Sequence, residues 1–146
     1  MKKAQSATEY IMTYGWAILA ITIVGALLYT QVFSNKACAS GINGFDMTYP
    51  LVPVGTQYYI NGADGLVVIG VENRCDRNIT ITAINGIALN GGNVVVAEGR
   101  QGAINATVPS LVGISGKCYS KEIRIYYNTN LVSGVQSTGV LNGRYS

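Results

Sequence analysis

The chain has 146 residues and a formal net charge of +3; 12% of its residues are charged and 49% are hydrophobic. This length accommodates one compact domain and one further segment, and the hydrophobic fraction excludes a wholly disordered chain. The sequence has no histidine, which excludes His-dependent acid–base catalysis and His-ligated metal sites. Its basic residues are scattered along the chain, so the positive charge does not predict nucleic-acid binding.

The first predicted element is a long apolar helix. Between Glu9 and Lys36 there is no charged residue, and residues 10–33 are almost entirely apolar. As a helix, these roughly 24 residues extend over about 36 Å, which exceeds the roughly 30 Å of a bilayer core. Their apolar side chains cover every side, so the helix needs lipid or other helices around it. A buried core helix of a soluble domain is the alternative, which the length and the N-terminal position disfavour.

Three kinds of export segment combine a basic start with an apolar run. A secretory signal is cut after small residues, and Ala37-Cys38-Ala39 supplies such a site, but the run is longer than the usual 7 to 15 or so residues. A lipoprotein signal is cut before Cys38, but Asn35 stands where a leucine is expected. In the third kind, the cut precedes the helix, which then remains in the mature protein.

The N-terminal sequence favours the third kind. A short basic segment, KKA, is followed by the mainly polar residues QSATEY and then by the apolar run. This segment, extending through TEYIMTYGWAIL, resembles the class III signal peptide of archaeal type IV pilin-like proteins, which have glutamine at the first mature position and glutamate at the fifth. The resemblance covers roughly the first 30 residues. It implies cleavage between Ala4 and Gln5 by a prepilin-type peptidase, and it is weaker toward archaellins and bacterial pilins.

Glu9 needs a physical reason to be in an apolar segment. A carboxylate at the centre of a membrane helix costs about 2.5–3.5 kcal/mol, and the cost falls toward the interface. The resemblance implies that Glu9 pairs with the amine of Gln5 of a neighbouring subunit after cleavage, which makes Gln5 and Glu9 subunit-assembly residues. The alternative is that a carboxylate near a helix N-terminus is favourable by itself, by about 0.3–1 kcal/mol.

A helix that is apolar on all sides can exchange lipid for copies of itself without exposing apolar area to water. We therefore expect this segment in the membrane before assembly and in the core of a filament afterwards. The leader lysines favour the cytoplasmic side, so the residues after Phe33 are expected outside the cell. Thr13 and Thr22 are expected to donate hydrogen bonds to carbonyl groups of their own helix.

After the helix, the pattern changes from continuous apolar to alternating, which is typical of β strands. Residues 34–36 and 39–41 have the composition of a linker. Five Asn-Gly pairs and one Asp-Gly pair occur in the remaining sequence, and such pairs favour tight turns between strands. The predicted strands are Gln57–Ile60, Leu66–Glu72, Asn78–Ile84, Asn93–Ala97, Gln101–Val108, Lys121–Asn128 and Val135–Leu141.

Alternation within three of these strands predicts which side chains face the core. The inward set is Val67, Ile69, Val71, Ile79, Ile81, Ala83, Ile123, Ile125 and Tyr127. The expected fold class is α+β: a leader over residues 1–4, a hydrophobic α-helix over residues 5–34, and an all-β antiparallel immunoglobulin-like sandwich head over residues 35–146. With the resemblance, this is the lollipop shape of a pilin.

Three cysteines allow one disulfide bond and one free thiol. Cys75 and Cys118 each lie next to a predicted strand, and a bridge between them would close a loop of roughly 40 residues and stabilise the fold by about 4 kcal/mol. Cys38, in the linker, would then be free or would bridge two subunits. The pairings that include Cys38 remain open alternatives.

Two sequons, which begin at Asn78 and Asn105, are candidate N-glycosylation sites. In an alternating strand, Asn78 faces the same side as Thr80 and Thr82, which is expected to face the solvent, so a glycan there would lie in solvent. Tyr126 and neighbouring tyrosines of the predicted head offer an adhesive or subunit-contact surface, although tyrosine is also common in half-buried strands.

No motif predicts an enzyme. Gly116-Lys117 is similar to the end of a phosphate-binding loop, but Leu111 and Cys118 replace the required glycine and Ser/Thr. The carboxylates are scattered, the serines have no recognisable base partner, and the cysteines lack metal-site spacing. We therefore expect no catalytic residue, no metal site and no cofactor.

Together with the resemblance, these observations predict a structural subunit of an archaeal type IV pilus-like extracellular filament, which polymerises through its N-terminal helix and serves in surface adhesion or cell–cell contact. The resemblance implies a prepilin peptidase, an assembly ATPase and a membrane platform protein as partners. The alternatives are a monomeric membrane-anchored extracellular binding domain and a secreted soluble β domain cleaved after Ala39.

Overall fold

A computed structural model of the chain describes residues 2–33 and 38–146, with the backbone alone for residues 2–5 and 31–33. The chain divides into two compact units, Met1–Ala37 and Cys38–Ser146. The first unit contains one helix, and the second consists of antiparallel strands with one short 3₁₀ turn, Pro109–Leu111. The predicted linker at residues 34–36 lies outside the described residues.

The helix of the first unit, α1, comprises Lys2–Phe33 and also includes part of the predicted leader. Lysine and alanine are favourable helix residues, so nothing in the described part of this leader stops the helix. All side chains from Ser6 to Thr30 are exposed in the single chain. Thr13 and Thr22 donate hydrogen bonds to the carbonyl oxygens of residues 9 and 18, at 2.9 and 3.0 Å, which confirms the expectation for both threonines.

The second unit contains nine strands within its described residues. They are β1 (Gly41–Asn43), β2 (Leu51–Ile60), β3 (Leu66–Asn73), β4 (Ile79–Ile84), β5 (Ile87–Ala88), β6 (Val94–Val96), β7 (Gln101–Thr107), β8 (Cys118–Asn128) and β9 (Val135–Arg144). Each of the seven predicted strands overlaps one of these. The strands β1 and β5, which have three and two residues, were not predicted.

The strands form two antiparallel sheets. One sheet has the order β1-β9-β8-β4-β5, with β6 also paired to β4, and the other has the order β2-β3-β7. The longest pairing joins β8 to β9, from Cys118 opposite Arg144 to Tyr127 opposite Val135. Buried residues from both sheets form one hydrophobic cluster. The α+β prediction is confirmed at this level: a long apolar helix is followed by antiparallel sheets.

The predicted core faces are correct with one exception. The other eight residues of the inward set are fully buried, but Ala83 is only half-buried. The pairing of β4 with β8 shifts register between Ile81 and Ala83, and such an irregularity interrupts strict alternation. Ile84 therefore faces the core in place of Ala83, with no exposed area.

Two glycines of β9 let aromatic rings pack directly on the sheet. A Cβ atom at Gly139 would overlap the ring of Phe45, and one at Gly143 would lie 2.8 Å from Tyr119 Oη. The ring of Tyr119 also packs against Tyr145, with 4.8 Å between the ring centroids. Because any side chain at Gly143 would displace the phenol of Tyr119, this glycine helps to position that hydroxyl group.

Candidate functional site

The largest set of exposed apolar side chains among the described residues lies on α1. All its members are more than half exposed: Tyr10, Ile11, Met12, Tyr14, Trp16, Ile18, Leu19, Ile21, Ile23, Val24, Leu27, Leu28 and Tyr29. The segment Ser6–Thr30 is long and apolar enough to cross a membrane, a criterion that a signal sequence near the N-terminus also meets. Apolar surfaces of this extent mark contacts with a membrane or with other proteins.

Glu9 lies about two turns into α1, because the helix begins at Lys2. The helix macrodipole acts mainly on charges in the first turn, so it stabilises Glu9 little in the full-length chain. Between Lys3 and Lys36 the sequence has no basic residue that could neutralise this carboxylate within its own segment. Cleavage between Ala4 and Gln5, and the assembly roles of Gln5 and Glu9, stay predictions.

Two glycines interrupt the bulky surface of α1. The groove at Gly15 has a volume of about 430 Å³, and the groove at Gly25 about 370 Å³. A Cβ atom at either glycine would meet nothing within 4 Å. Small residues at such positions let a neighbouring helix approach closely, so both grooves are suited to contact between helices.

The disulfide bond joins Cys38 to Cys118, and Cys75 is free. The predicted Cys75–Cys118 bridge is therefore wrong. Gly41 of β1 lies opposite Asn142, and Cys118 of β8 lies opposite Arg144. These antiparallel registers bring Cys38 and Cys118 to the same end of β9, with 5.3 Å between their Cα atoms, which is within the range for disulfides.

Cys75 is at the other end of β8. It lies in the turn before β4, and Thr80 of β4 pairs with Asn128, the last residue of β8. A strand as long as β8 extends over about 33 Å, so Cys75 cannot reach Cys118 at its start. No spacing rule in the sequence reveals this connectivity, because three cysteines permit any pair.

The two sequons differ in exposure. Asn78 is exposed immediately before β4, whereas Asn105 is half-buried within β7, opposite Val68 of β3. Thr107 Oγ1, in the second sequon, accepts a hydrogen bond from Asn90 Nδ2 at 3.1 Å. Exposure therefore favours Asn78 as the more accessible acceptor, and glycosylation of either residue stays a prediction.

Tyr126, a candidate contact residue, lines a polar depression of about 260 Å³ together with Asn85, Glu122 and Arg124. Arg124 Nε forms an ion pair with Glu122 Oε1 at 2.7 Å, and the backbone N–H of Arg124 donates to Asn85 Oδ1 at 2.7 Å. The polar groups of this depression thus bond to one another, and Tyr126 itself is half-buried.

A second depression, rich in tyrosine, lies beside the disulfide bond. It has a volume of about 160 Å³, and its lining residues are Ser40, Thr56, Tyr58, Tyr59, Tyr119 and Arg144. Tyr58 Oη donates a hydrogen bond to the carbonyl oxygen of Asn142 at 2.6 Å and so joins the two sheets. Arg144 Nε donates to Cys38 Sγ at 3.4 Å. The sequence did not reveal this site, because its residues come from four separate segments.

Tyr119 is the most buried residue of this depression, with 7% of its surface exposed. Burial raises the pKa of Tyr119 to about 12, and the nearby phenols of Tyr58 and Tyr145 act in the same direction. The phenol is therefore protonated at neutral pH and acts there as a hydrogen-bond donor. Its hydroxyl oxygen is not one of the buried side-chain atoms that lack a hydrogen-bond partner in the described residues, which are Tyr127 Oη and Ser137 Oγ.

Within residues 2–33 and 38–146, no group of three or more Cys, Asp or Glu side chains is arranged to hold a metal ion. Comparison of the chain with protein-family models and with curated proteins finds no match. The functional inference therefore depends on α1, the disulfide bond and the surface of the second unit.

Proposed function

We propose that this protein is a structural subunit, a pilin, of an archaeal type IV pilus-like extracellular filament that serves in surface adhesion or cell–cell contact. The observation that carries the proposal is α1, whose segment Ser6–Thr30 exposes apolar side chains on every side. In water, such a helix is stable only when lipid or other helices surround it. Copies of α1 satisfy this requirement for one another in a filament core, and the grooves at Gly15 and Gly25 allow close contact.

The N-terminal residues support processing before assembly. Lys2 and Lys3 lie in the first turn of α1, where positive charge opposes the helix macrodipole. Cleavage between Ala4 and Gln5 would remove both lysines and would expose the amino group of Gln5, one turn before Glu9 in the same helix. In this proposal, Glu9 of one subunit is neutralised by the Gln5 amino group of a neighbouring subunit. A prepilin peptidase, an assembly ATPase and a membrane platform protein are the partners of this pathway.

The disulfide bond argues against the secreted alternative. Cleavage after Ala39 would remove Cys38 and leave Cys118 without its partner. A lipoprotein signal would require the thiol of Cys38 for the lipid and would break the same bond. Structural disulfides are typical of oxidising compartments, which agrees with a second unit outside the cell. In the proposal, this unit is the immunoglobulin-like sandwich head of a lollipop-shaped subunit.

Microscopy and N-terminal sequencing test the proposal together. Surface filaments isolated from cells that express the protein should contain this chain with Gln5 as the first residue. A soluble chain that begins at Ser40 would establish the secreted alternative. A detergent-soluble monomer that retains α1, in cells without filaments, would establish the membrane-anchored alternative.

A charge-neutral variant tests the role of Glu9. Glu9→Gln keeps the size of the side chain, so membrane insertion and leader cleavage should continue, whereas filaments should fall by at least about 10-fold, because the pairing with the neighbouring amine is lost. Glu98→Gln is the matched control, since Glu98 is an exposed carboxylate in the turn between β6 and β7. Normal filament yield with Glu9→Gln would exclude the proposed pairing.

A further inference from the structure

The two grooves of α1 have the same residue spacing. The groove at Gly15, the first groove, is lined by Thr8, Ile11, Met12, Gly15, Trp16 and Leu19. The groove at Gly25, the second groove, is lined by Ala20, Ile21, Val24, Gly25 and Leu28. Every residue that lines the second groove lies nine positions after a residue that lines the first, as Ala20 does after Ile11 and Leu28 after Leu19. The second groove therefore repeats the first one further along the helix.

This repeat places the two grooves on opposite sides of α1. An α-helix has about 3.6 residues per turn and a rise of about 1.5 Å per residue, so nine residues make about 2.5 turns over about 13.5 Å. The extra half turn rotates the second groove by about 180° relative to the first. The grooves thus face in opposite directions, at different heights along the helix axis.

One neighbouring helix cannot fill both grooves. A neighbour in a left-handed supercoil moves around α1 by only about 20° for every seven residues, which amounts to about 25° between the two grooves. Because the grooves differ by about 180°, a helix in the first groove leaves the second groove open. Filling both grooves therefore requires two helices, one on each side.

The charge near the start of α1 favours copies of the same helix as these neighbours. Glu9 directly follows Thr8 of the first groove, and its own segment has no basic residue that could neutralise it. The hydrocarbon chains of lipids offer no positive charge, so a carboxylate among them is costly. Other copies of α1 offer positive charge at their N-terminal ends, as Lys2 and Lys3 or, after cleavage, as the amino group of Gln5.

We infer that each α1 binds two different copies of itself, one in each groove. Both glycines leave open space for a neighbouring helix, since a Cβ atom at either would meet nothing within 4 Å, and such positions allow close contact between helix backbones. The inference rests on the proposed function and assigns two contact sides to the subunit. Contacts on opposite sides at different heights continue from copy to copy and do not close into a dimer.

Bulky substitutions test each groove separately. Gly15→Ile and Gly25→Ile each fill one groove with an apolar side chain, which a membrane helix accepts. Either variant expressed alone should reduce the number of surface filaments at least about 10-fold. Ala17→Ile and Ala26→Ile are the matched controls, because these alanines line neither groove, and they should leave the number of filaments within about 2-fold. N-terminal sequencing and membrane fractionation check leader cleavage and membrane insertion of every variant.

Co-expression with the unaltered chain tests whether the two grooves belong to two separate contacts. A chain with one blocked groove should join a filament through its other side and stop growth there, so about one such chain in ten should shorten the filaments at least about 5-fold. The double variant Gly15→Ile/Gly25→Ile cannot join on either side. At the same ratio it should leave the filament length, measured by electron microscopy, unchanged.

Three results would overturn the inference while the unaltered chain still forms filaments. Normal filaments from either glycine variant alone would show that no helix fills that groove and would leave lipid as its occupant. Equal losses in the alanine controls would show that added bulk acts anywhere on α1. Single variants that leave filament length unchanged in co-expression, as the double variant should, would show that both grooves belong to one contact.

Failure of the proposed function gives a different result. In that case the unaltered chain itself forms no filaments, and the inference falls with the proposal. The unaltered chain therefore distinguishes the two failures, because it forms normal filaments in every result that overturns the inference alone.

Discussion

At the scale of single residues, two phenol groups of β8 show what burial does to a polar side chain. Tyr119 and Tyr127 are 7% and 0% exposed, and both lie in the hydrophobic cluster. Burial is the main cause that raises the pKa of each tyrosine, to about 12 for Tyr119. Their hydroxyl groups stay protonated because an apolar surrounding disfavours the phenolate.

The raised pKa of Tyr119 predicts a loss of stability in alkali. The unfolded chain loses this proton near the ordinary pKa of 10, and the folded chain near 12. The contribution of Tyr119 to the unfolding free energy is therefore fully present below about pH 10 and decreases, by about 2–3 kcal/mol in total, as the pH rises toward 12. Denaturant unfolding followed by circular dichroism between about pH 9 and pH 12 measures this loss.

Tyr119→Phe is the control for this prediction, because phenylalanine keeps the ring and has no proton to lose. The variant should lose less stability over the same pH range, and the remaining loss should come from other tyrosines such as Tyr127. An identical pH dependence in both proteins would contradict the assignment of the effect to Tyr119.

At the scale of elements, β8 and β9 organise the second unit. Their pairing over ten residues is the longest in the structure's described strands, and β1 and β4 pair with their outer edges. The disulfide bond joins the start of β8 to the segment before β1. It therefore ties down a three-residue strand that has only a short pairing with β9.

Loss of this disulfide bond should destabilise the second unit strongly. The two cysteines are 80 residues apart, and closing such a loop restricts the unfolded chain by about 4–5 kcal/mol on the chain-entropy estimate. Cys38→Ser should lower the unfolding free energy by about this amount, whereas Cys75→Ser, the matched control, should change it by less than about 1 kcal/mol. Denaturant unfolding without reductant measures both variants.

Alkylation gives an independent check of the connectivity. Without reductant, only Cys75 should be modified, and peptide mapping should recover Cys38 linked to Cys118. A peptide that links Cys75 to Cys118 would contradict the structure and restore the pairing expected from the sequence.

At the scale of the whole molecule, the two units are stable for different reasons. All residues of the hydrophobic cluster belong to the second unit, which therefore has its own core. The described side chains of α1 from Ser6 to Thr30 are exposed, so this helix depends on lipid or on other chains. We therefore expect the second unit to fold and dissolve by itself, whereas α1 should make the full-length chain poorly soluble in water.

A fragment of residues 38–146 should therefore fold without α1. It should be monomeric and soluble without detergent, with the β-type circular dichroism of the full-length chain and an unfolding free energy within about 1 kcal/mol of that chain. The full-length chain in the same buffer should require detergent, because its helix exposes apolar area. A fragment that aggregates, or that lacks cooperative unfolding, would show that the second unit needs α1.

Much of the architecture was predictable from local patterns. The absence of charge between Glu9 and Lys36 predicted the long helix, and Asn-Gly pairs with alternating residues predicted seven of the nine described strands. Alternation also identified Ile123, Ile125 and Tyr127 as core residues. Alternation failed at Ala83, because a register shift between β4 and β8 turns Ile84 inward instead. A register shift involves two strands, so the residue pattern of one strand cannot reveal it.

The amino-acid sequence by itself determined the apolar helix with its single acidic residue, the positions of the strands and the absence of histidine chemistry, because these depend on the order of neighbouring residues. Only the tertiary structure decided the partner of Cys118 and the grouping of Tyr59, Tyr119 and Arg144 around one depression. Those residues are far apart in the chain, and they become neighbours only through the registers in which β1 and β8 pair with β9 and β2 packs beside them.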